Sequence, residues 1–184
     1  DKLGYRVNLQ ARNLAGRKAV RVALIHASDF DSEPNSYFSS ALELGATRAG
    51  AGLGVQLITH VINQNDPGAA AEIVARLSDD QCDGAIMTPP FSDDPNLLRT
   101  LAGLGVKVVC IAGGPAVEQL AMTLGIDDYR AGFDIGAHLV SQGYRRFGFI
   151  KGLQGHASAE TRFDGFLAAL ADAGADTLAV EWRR

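Results

Sequence analysis

The 184-residue chain has room for one large hydrophobic core or for two smaller lobes. Its 47% apolar and 21% charged residues are typical of an ordinary globular protein. No apolar run approaches the ~20 residues that a membrane-spanning helix needs, and the N-terminus lacks the residue order of a signal peptide. We therefore expect a cytoplasmic protein that makes no contact with a membrane.

The charge is distributed unevenly along the chain. Residues 1–21 hold six basic side chains and one acidic one, which gives them +5, so residues 22–184 carry −9 of the total of −4. A basic arm on an acidic body suits a chain in which only the arm contacts a polyanion such as nucleic acid. A solvated leader segment is the alternative that charge alone leaves open.

The segment NLQARNLAGR, residues 8–17, lies in this basic arm just before the first strongly apolar run. Apolar and polar residues alternate over one and a half helical turns, and Gly16 would end the helix. A helix this short does not recover the cost of its own nucleation. We therefore expect a segment that becomes helical only against a partner.

From residue 19 onward, short apolar runs alternate with amphipathic stretches. The predicted strands are AVRVALIH, GVQLITHV, GAIMTP, VKVVCIA, MTLGI, RRFGFIK and TLAVEW. The predicted helices cover residues 36–52, 68–79, 94–104, 129–142 and 158–173. Because the strands are almost continuously apolar, they are typical of strands buried on both faces. The sequence therefore predicts an α/β fold with parallel sheets.

The alternation of strands and helices breaks once. VKVVCIA is followed by GGPAVEQLA and then by the short strand MTLGI, with no full helix between them. At such a break the chain can leave one sheet and start another. We therefore place a boundary between two lobes near residues 127–130.

No enzyme motif is found. GAGLGV (residues 50–55) has the glycines of a dinucleotide loop, but it closes a helix instead of following a strand. IAGGP (residues 111–115) follows a strand but lacks the Lys-Ser/Thr of a phosphate loop. The four histidines and Ser158 lack the spacing of a metal site or a nucleophile triad. We predict a binding protein with no catalytic residue, metal or cofactor.

The cysteines and the clustered carboxylates have structural explanations. Cys82 and Cys110 lie on separate elements, and we expect both to be reduced and partly buried. Acidic residues near helix ends are predicted to be solvated or to cap helices: Asp79, Asp80, Asp83, Asp93 and Asp94.

Polar and aromatic side chains gather at the predicted strand ends, where open α/β sheets bind small ligands. The candidates are Asn35, Tyr37, Phe91, Asp128, Arg130, His156, Ser158 and Arg162. Arg162 offers paired donors to hydroxyl groups or a carboxylate, although a surface arginine is the alternative. Tyr37 and Phe91 would supply apolar surface. For Asp128, helix capping is the alternative.

The segment LGYRVNLQARNLAGR resembles the junction between headpiece and core in LacI/GalR-family transcription regulators. The family pattern matches at Leu3, Gly4, Tyr5, Asn8, Ala11, Arg12 and Leu14, with Val7 at the position of the usual Pro. CDGAIMTPP, GIDDYRAG, HLVSQGYRRFGFIKG and SAETRFDGFLAALADAG resemble later segments of the family, in the same order. Tyr144 stands where His is usual, and Glu160 where the family often has Arg.

The resemblance implies a bilobal, type I periplasmic-binding-protein-like fold whose second lobe is incomplete in this chain. It assigns residues 1–18 to the end of the DNA-binding headpiece and the hinge helix, 19–127 to the N-terminal lobe, and 128–184 to part of the C-terminal lobe. The implied function is a ligand-responsive, DNA-binding regulator, expected to be a repressor. Its effector would be a small polar molecule, with a sugar as the first candidate.

The resemblance also implies partners. These are operator DNA, the effector and a second copy of the chain, with the helix at residues 36–52 packing across the two-fold axis. Purely intramolecular packing of this helix is the alternative. A transport-type periplasmic sugar-binding protein of the same fold is the alternative function, which the basic arm and the missing export signal disfavour.

The hinge helix would fold in the minor groove of the operator. Leu14 would insert as an apolar wedge between base steps, and Ala11 would allow close approach to the groove. The other polar and basic residues would cap the helix, read base edges or neutralise phosphates. The predicted DNA-binding set is Asn8, Ala11, Arg12, Asn13, Leu14, Arg17 and Lys18. A disordered tether without DNA contact is the alternative.

Overall fold

The computed structural model describes residues 19–28, 37–151 and 157–181. The predicted hinge helix and its DNA-binding residues, all between residues 8 and 18, lie outside the described residues, as do Asn35 and His156. Within the described ranges, every helix is too short or too polar to cross a membrane.

Seven strands and five α-helices make up the described part of the chain. In chain order they are β1 (Arg21–Ser28), α1 (Tyr37–Leu53), β2 (Gln56–Asn63), α2 (Ala69–Asp79), β3 (Gly84–Met87), α3 (Pro95–Gly103), β4 (Lys107–Ile111), β5 (Met122–Leu124), α4 (Asp128–Ser141), β6 (Arg146–Ile150), α5 (Ala157–Asp172) and β7 (Asp176–Glu181). Each lies within two residues of its predicted position at both ends. A short 3₁₀ helix, Phe91–Asp93, was not predicted.

The strands form two separate sheets, and all of their pairings are parallel. Five strands pair in the order β2-β1-β3-β4-β5, while β6 and β7 form a two-stranded sheet. The predicted parallel α/β architecture is therefore confirmed. The break in the alternation between β4 and β5 does not end the first sheet, because β5 still pairs with β4. The chain passes to the second sheet after β5.

The core of the first sheet is aliphatic. The helix α2 buries Ala69, Ile73 and Leu77, which are four residues apart and therefore lie on one face. Together with Leu101 of α3, these side chains pack against Ile25 and its neighbours on the sheet. At the start of α3, Asp94 accepts hydrogen bonds from the backbone N–H groups of residues 96 and 97 at 2.8 and 3.1 Å, which confirms its predicted capping role.

The helix α1 is packed differently from α2 and α3. Gly50 is its one buried residue, although the helix has 17 residues. Its exposed large apolar side chains are Tyr37, Phe38, Leu44 and Leu53. One side of the first sheet therefore carries a helix with unpartnered apolar surface within the described part of the chain.

The second sheet has an aromatic core and a close helix pair. The Phe166 ring of α5 lies 6.0 Å from the ring of Phe147 and 5.0 Å from that of Phe149, both on β6. The edge-on and tilted geometries of these rings are those that aromatic pairs favour. Leu170 completes the buried cluster.

Part of the predicted acidic cluster makes specific contacts. His26 and His60 lie within β1 and β2, as they do in the predicted strands. His60 Nε2 lies 2.8 Å from a carboxylate oxygen of Asp80, and Asp83 accepts a hydrogen bond from the backbone N–H of Arg21. This part of the acidic cluster therefore joins the end of α2 to the sheet and is not only solvated.

Both cysteines are free and buried, so each is more deeply enclosed than predicted. Burial, with a smaller contribution from Asp93, raises the pKa of the Cys110 thiol to about 11. Burial also raises the pKa of Cys82. A raised pKa keeps a thiol protonated, and the thiolate is the nucleophilic form. Neither cysteine is therefore suited to act as a nucleophile.

Candidate ligand-binding site

A cleft of about 620 Å³ opens at the carboxyl edge of the first sheet, beyond the ends of β4 and β5. Its walls come from residues 112–115 and 125–127 and from the first turns of α4 and α5. The carboxyl edge is where open α/β sheets bind ligands, because connecting segments and helix N-termini meet there. The polar side chains that line the cleft belong to Glu118, Thr123, Asp127, Asp128, Tyr129, Ser158 and Thr161.

The glycine-containing turn after β4 is fixed by a carboxylate. The backbone N–H of Gly114 donates a hydrogen bond to Oδ1 of Asp93 at 2.6 Å. The backbone N–H of Ala112, a residue with a φ of 51°, donates to the carbonyl of Leu124 at 2.8 Å. Asp93 therefore does not share the capping of α3 with Asp94 but holds the cleft wall in place.

Two consecutive aspartates begin α4, and they have different roles. Asp127 is the N-cap, because its Oδ1 accepts a hydrogen bond from the backbone N–H of Arg130 at 2.9 Å. Asp128 is therefore free of the capping role that was its alternative. Its Oδ1 instead accepts a hydrogen bond from Nε of Arg162 on α5, at 2.6 Å.

This ion pair joins the two helices at the cleft. The Asp128 side chain is 12% exposed, whereas the Arg162 side chain is 48% exposed. The bond uses Nε of Arg162, and a guanidinium group carries four further N–H donors on its two terminal nitrogens. Arg162 therefore retains donor groups for a ligand while its orientation is held by Asp128.

Close packing of α4 against α5 makes this pair possible. A Cβ atom on Gly132 of α4 would overlap the carbonyl oxygen of Arg162, and one on Gly165 of α5 would overlap the carbonyl oxygen of Tyr129. One turn further along, a Cβ atom on Gly136 would lie 2.9 Å from that of Ala169. Only glycine allows the helix backbones to approach this closely.

The structure brings some of the predicted site residues together. Asp128 and Ser158 both line the cleft, and Arg162 lies beside it through its bond to Asp128. Ser158 is buried at the start of α5.

Other predicted residues lie elsewhere. Phe91 is 7% exposed and belongs to the aliphatic core of the first sheet, because the 3₁₀ helix turns its ring inward. Tyr37 is 96% exposed at the start of α1 and does not line the cleft. Arg130 lies on the exposed side of α4, where its Nε pairs with Asp134 at 2.7 Å. The hydrogen bond from Asp134 and its charge raise the pKa of Arg130.

Glu160, which differs from the arginine common in the resembling family, has its own partner. Its carboxylate accepts a hydrogen bond from Nζ of Lys151 at 2.5 Å. The same ammonium group lies 4.2 Å from the centre of the Phe163 ring, which favours a buried cation. Lys151 therefore anchors the end of β6 to the first turn of α5, next to the cleft.

The sequence analysis did not identify several cleft residues, among them Glu118, Thr123, Asp127 and Thr161. A signal for the segment at 125–127 was present, because it directly follows a short parallel strand. Glu118 had no such signal, since it lies in an irregular segment between β4 and β5.

The polar groups that line the cleft are hydroxyls and carboxylates, and the guanidinium of Arg162 lies beside them through its bond to Asp128. Among the described residues, no group of three or more His, Cys, Asp or Glu side chains could hold a metal ion. The arrangement therefore supports recognition of a polar molecule by hydrogen bonds.

Comparison with known proteins identifies the family. Residues 21–182 match the family described as periplasmic binding proteins and the sugar-binding domain of the LacI family. The chain belongs to this family. Its members are regulators and binding proteins and are not enzymes, as expected from the absence of a catalytic motif.

Two curated relatives are transcription regulators. The chain is 27% identical over 121 residues to the HTH-type transcriptional repressor PurR of Mannheimia succiniciproducens, covering 65% of this chain and 35% of the relative. It is 23% identical over 176 residues to the HTH-type transcriptional regulator DegA of Bacillus subtilis, covering 95% of this chain and 50% of the relative. The chain thus spans half or less of the length of these relatives.

The fold is shared with solved structures. The structure of the transcriptional regulator CelR in complex with cellobiose superposes with a TM-score of 0.76 at 22% identity. The match covers 94% of this chain and 54% of CelR. The type I periplasmic-binding-protein-like fold that the resemblance implied is therefore confirmed.

Proposed function

We propose that the intact protein is a ligand-responsive DNA-binding regulator, a cytoplasmic repressor, whose cleft binds a small polar effector. The observation that carries this proposal is the meeting of Asp128, Ser158 and Arg162 at the cleft between the two sheets. The family membership of residues 21–182 and the two regulator relatives support it. A sugar is the first candidate, because CelR, a protein of the same fold, is known in complex with cellobiose.

The regulatory step would be a change in the arrangement of the two lobes. The cleft takes one wall from the first sheet and one from α4 and α5, so a ligand between them contacts both. An effector can shift the balance between an open and a closed arrangement only if it binds them with different affinity. Hydrogen bonds to both walls at once supply that difference, because they form only in the closed arrangement.

The DNA-binding part of the proposal rests on the hinge segment. Leu14 would wedge between base steps of an operator, and Ala11 would allow the helix to lie close to the groove floor. Arg12, Arg17 and Lys18 would neutralise phosphates, which makes affinity fall as salt concentration rises. Asn8 and Asn13 would cap the helix and read base edges.

We place the dimer contact on α1. This helix buries only Gly50 within the described part of the chain, yet it carries four exposed large apolar side chains, those of Tyr37, Phe38, Leu44 and Leu53. A contiguous exposed apolar surface is typical of a protein–protein contact. Two copies of a hinge segment would then lie side by side, as paired minor-groove contacts require.

A transport-type sugar-binding protein is the alternative, since the family includes periplasmic binding proteins. The basic arm of residues 1–21 favours the regulator, because a polyanion-binding segment has no use in solute transport. The same cleft would serve either function, so the two proposals differ in DNA binding and agree on the ligand site.

The test combines DNA selection with an effector screen. Duplexes that bind the intact protein are selected from a random library, and sugars are screened by the rise in melting temperature. The best sugar is then added to the protein–DNA complex in a mobility-shift assay. We expect the wild type to release its DNA, and Arg162→Ala to bind DNA normally but to release none, because the guanidinium would contact the effector.

The matched control is Arg130→Ala, which removes an exposed arginine from α4 outside the cleft. It should release DNA at the same sugar concentration as the wild type. Failure to select any duplex would contradict the regulator proposal. Equal release by Arg162→Ala and the wild type would instead contradict the assignment of the effector site.

A further inference from the structure

Three groups that favour an anion border the cleft. They are the N–H of Gly114 in the glycine turn, the amino-terminal end of α4, and the guanidinium of Arg162. Proteins commonly bind phosphates and carboxylates with backbone amides, helix N-termini and arginine. A cleft with three such groups free would be suited to a phosphorylated or acidic ligand.

In this protein, a carboxylate of the chain already binds each of the three groups. Asp93 accepts from the Gly114 N–H at 2.6 Å, and Asp127 accepts from an N–H in the first turn of α4 at 2.9 Å. Asp128 accepts from Nε of Arg162 at 2.6 Å. The chain therefore supplies its own anions at the positions that a ligand anion would take.

Asp128 differs from the other two carboxylates in what it neutralises. It faces a full positive charge, lines the cleft, and its side chain is only 12% exposed. Glu118 and Asp127 add further negative charge to the lining. Among the described residues that line the cleft, none is Lys, Arg or His. An anion would therefore lie beside the carboxylates that already hold these donors, and like charges at short range repel strongly where water is partly excluded.

A cationic ligand is not favoured either. Asp128 already has an ionic partner, and Asp127 already accepts from a helix N–H. Their charges are satisfied within the chain, so an ammonium group would gain little beyond what these bonds provide. The lining also carries uncharged hydroxyl groups. Thr161 Oγ1 donates to the carbonyl of Ala157 at 3.0 Å, and a hydroxyl oxygen that donates one hydrogen bond can still accept another from a ligand hydroxyl group.

We infer that the cleft selects an uncharged polyhydroxyl effector and that Asp128 is the specificity-determining residue that excludes anions, by occupying Arg162. The inference rests on the proposed function only for the identity of this cleft as the effector site. It deepens that proposal because a sugar and its phosphate ester would be distinguished by one side chain.

Inorganic phosphate is the probe that tests this inference, in calorimetric titrations of the intact protein at constant ionic strength. Asp128→Asn keeps the shape of the side chain but removes its charge and weakens its hold on Arg162. We expect this variant to bind phosphate about tenfold or more tightly than the wild type, the usual range for one added hydrogen bond to a charged group. The double variant Asp128→Asn with Arg162→Ala should lose the gain.

The matched control is Asp134→Asn, which removes the same charge from the exposed side of the same helix and frees Arg130. It should bind phosphate as weakly as the wild type does. Urea unfolding checks that Asp128→Asn is folded, and Asp128→Ser repeats the titration with a shorter side chain.

Three results would overturn the inference. The first is a wild-type affinity for phosphate as high as that of Asp128→Asn. The second is an affinity for phosphate that rises in neither Asp128 variant. The third is a rise in Asp134→Asn equal to the rise in Asp128→Asn. None of them bears on the proposed function, which fails separately if no duplex binds the intact protein, or at its effector site if Arg162→Ala releases DNA as the wild type does.

Discussion

The helices α2 and α3 pack on the five-stranded sheet through aliphatic side chains, whereas α4 and α5 pack through glycines. In the first region, Ile73 and Leu101 fill the space between helix and sheet, so the helices stand a side chain away from their neighbours. In the second, Gly132 and Gly165 bring two helix backbones into direct contact. The first arrangement buries an aliphatic core. The second fixes the distance between the side chains of Asp128 and Arg162.

This difference has a functional consequence. The bond between Asp128 and Arg162 spans α4 and α5 at the end where they meet the cleft. Its length depends on the separation of the two helices, and that separation depends on the absence of a Cβ atom at two positions. A change in the second region should therefore alter ligand binding even where no ligand contact is lost.

The largest effect is expected for Gly132→Ala. The added Cβ atom would overlap the carbonyl oxygen of Arg162, so the helices must separate. We expect a loss of about 3 kcal/mol in the free energy of unfolding, the upper part of the range for overpacking, even though alanine favours helix more than glycine. Urea unfolding of the intact protein measures this loss.

Gly45→Ala in α1 is the control for that substitution. Gly45 is also helical, but a Cβ atom there would meet nothing within 4 Å. The change should stabilise the protein by about 0.5–1 kcal/mol through helix propensity alone. Equal changes in the free energy of unfolding for the two substitutions would mean that the close approach of α4 and α5 does not contribute to stability.

A smaller effect, confined to acidic pH, is expected in the first region. Burial lowers the pKa of His26, whereas the nearby charge of Glu43 raises it less. The imidazole is 5% exposed, and neither ring nitrogen has a hydrogen-bond partner among the described residues. The unfolded chain therefore binds a proton more readily than the folded one. The contribution of a neutral His26 to the free energy of unfolding is therefore fully present above the unfolded pKa of about 6.5. It is lost as the pH falls below that value towards the lower pKa of the folded state.

The comparison that measures this effect is wild type against His26→Leu, each unfolded in urea at pH 7.5 and pH 5.5. The wild type should lose more stability between the two pH values than the variant does. An equal or larger loss in His26→Leu would contradict a neutral, buried His26.

The sequence predicted the elements of the fold well because each carries a local signal. The apolar runs of β1 and β4 and the four-residue spacing in α2 are properties of neighbouring residues, and tertiary contacts did not override them. The strand β5 pairs with β4 and lies before the boundary placed at residues 127–130, although the break in the alternation does not by itself say on which side of the boundary that strand pairs.

The site was only partly predictable. Asp128 and Arg162 were candidates because of residue type and position, but their mutual bond depends on the crossing of α4 and α5. The glycines that allow this crossing are 33 residues apart in sequence, at 132 and 165, and no local pattern joins them. Phe91 was placed wrongly by residue type alone, because its 3₁₀ helix turns the ring into the core.

The most direct test of the central claim, that the cleft beside Asp128 and Arg162 binds the effector, is a calorimetric Kd for the sugar that raises the melting temperature most. The titration compares the wild type, Arg162→Ala and the exposed-site control Arg130→Ala. We predict that Arg162→Ala weakens the affinity by about tenfold or more, as expected for loss of a hydrogen bond to a charged group, while Arg130→Ala matches the wild type. An unchanged Kd for Arg162→Ala would contradict the account.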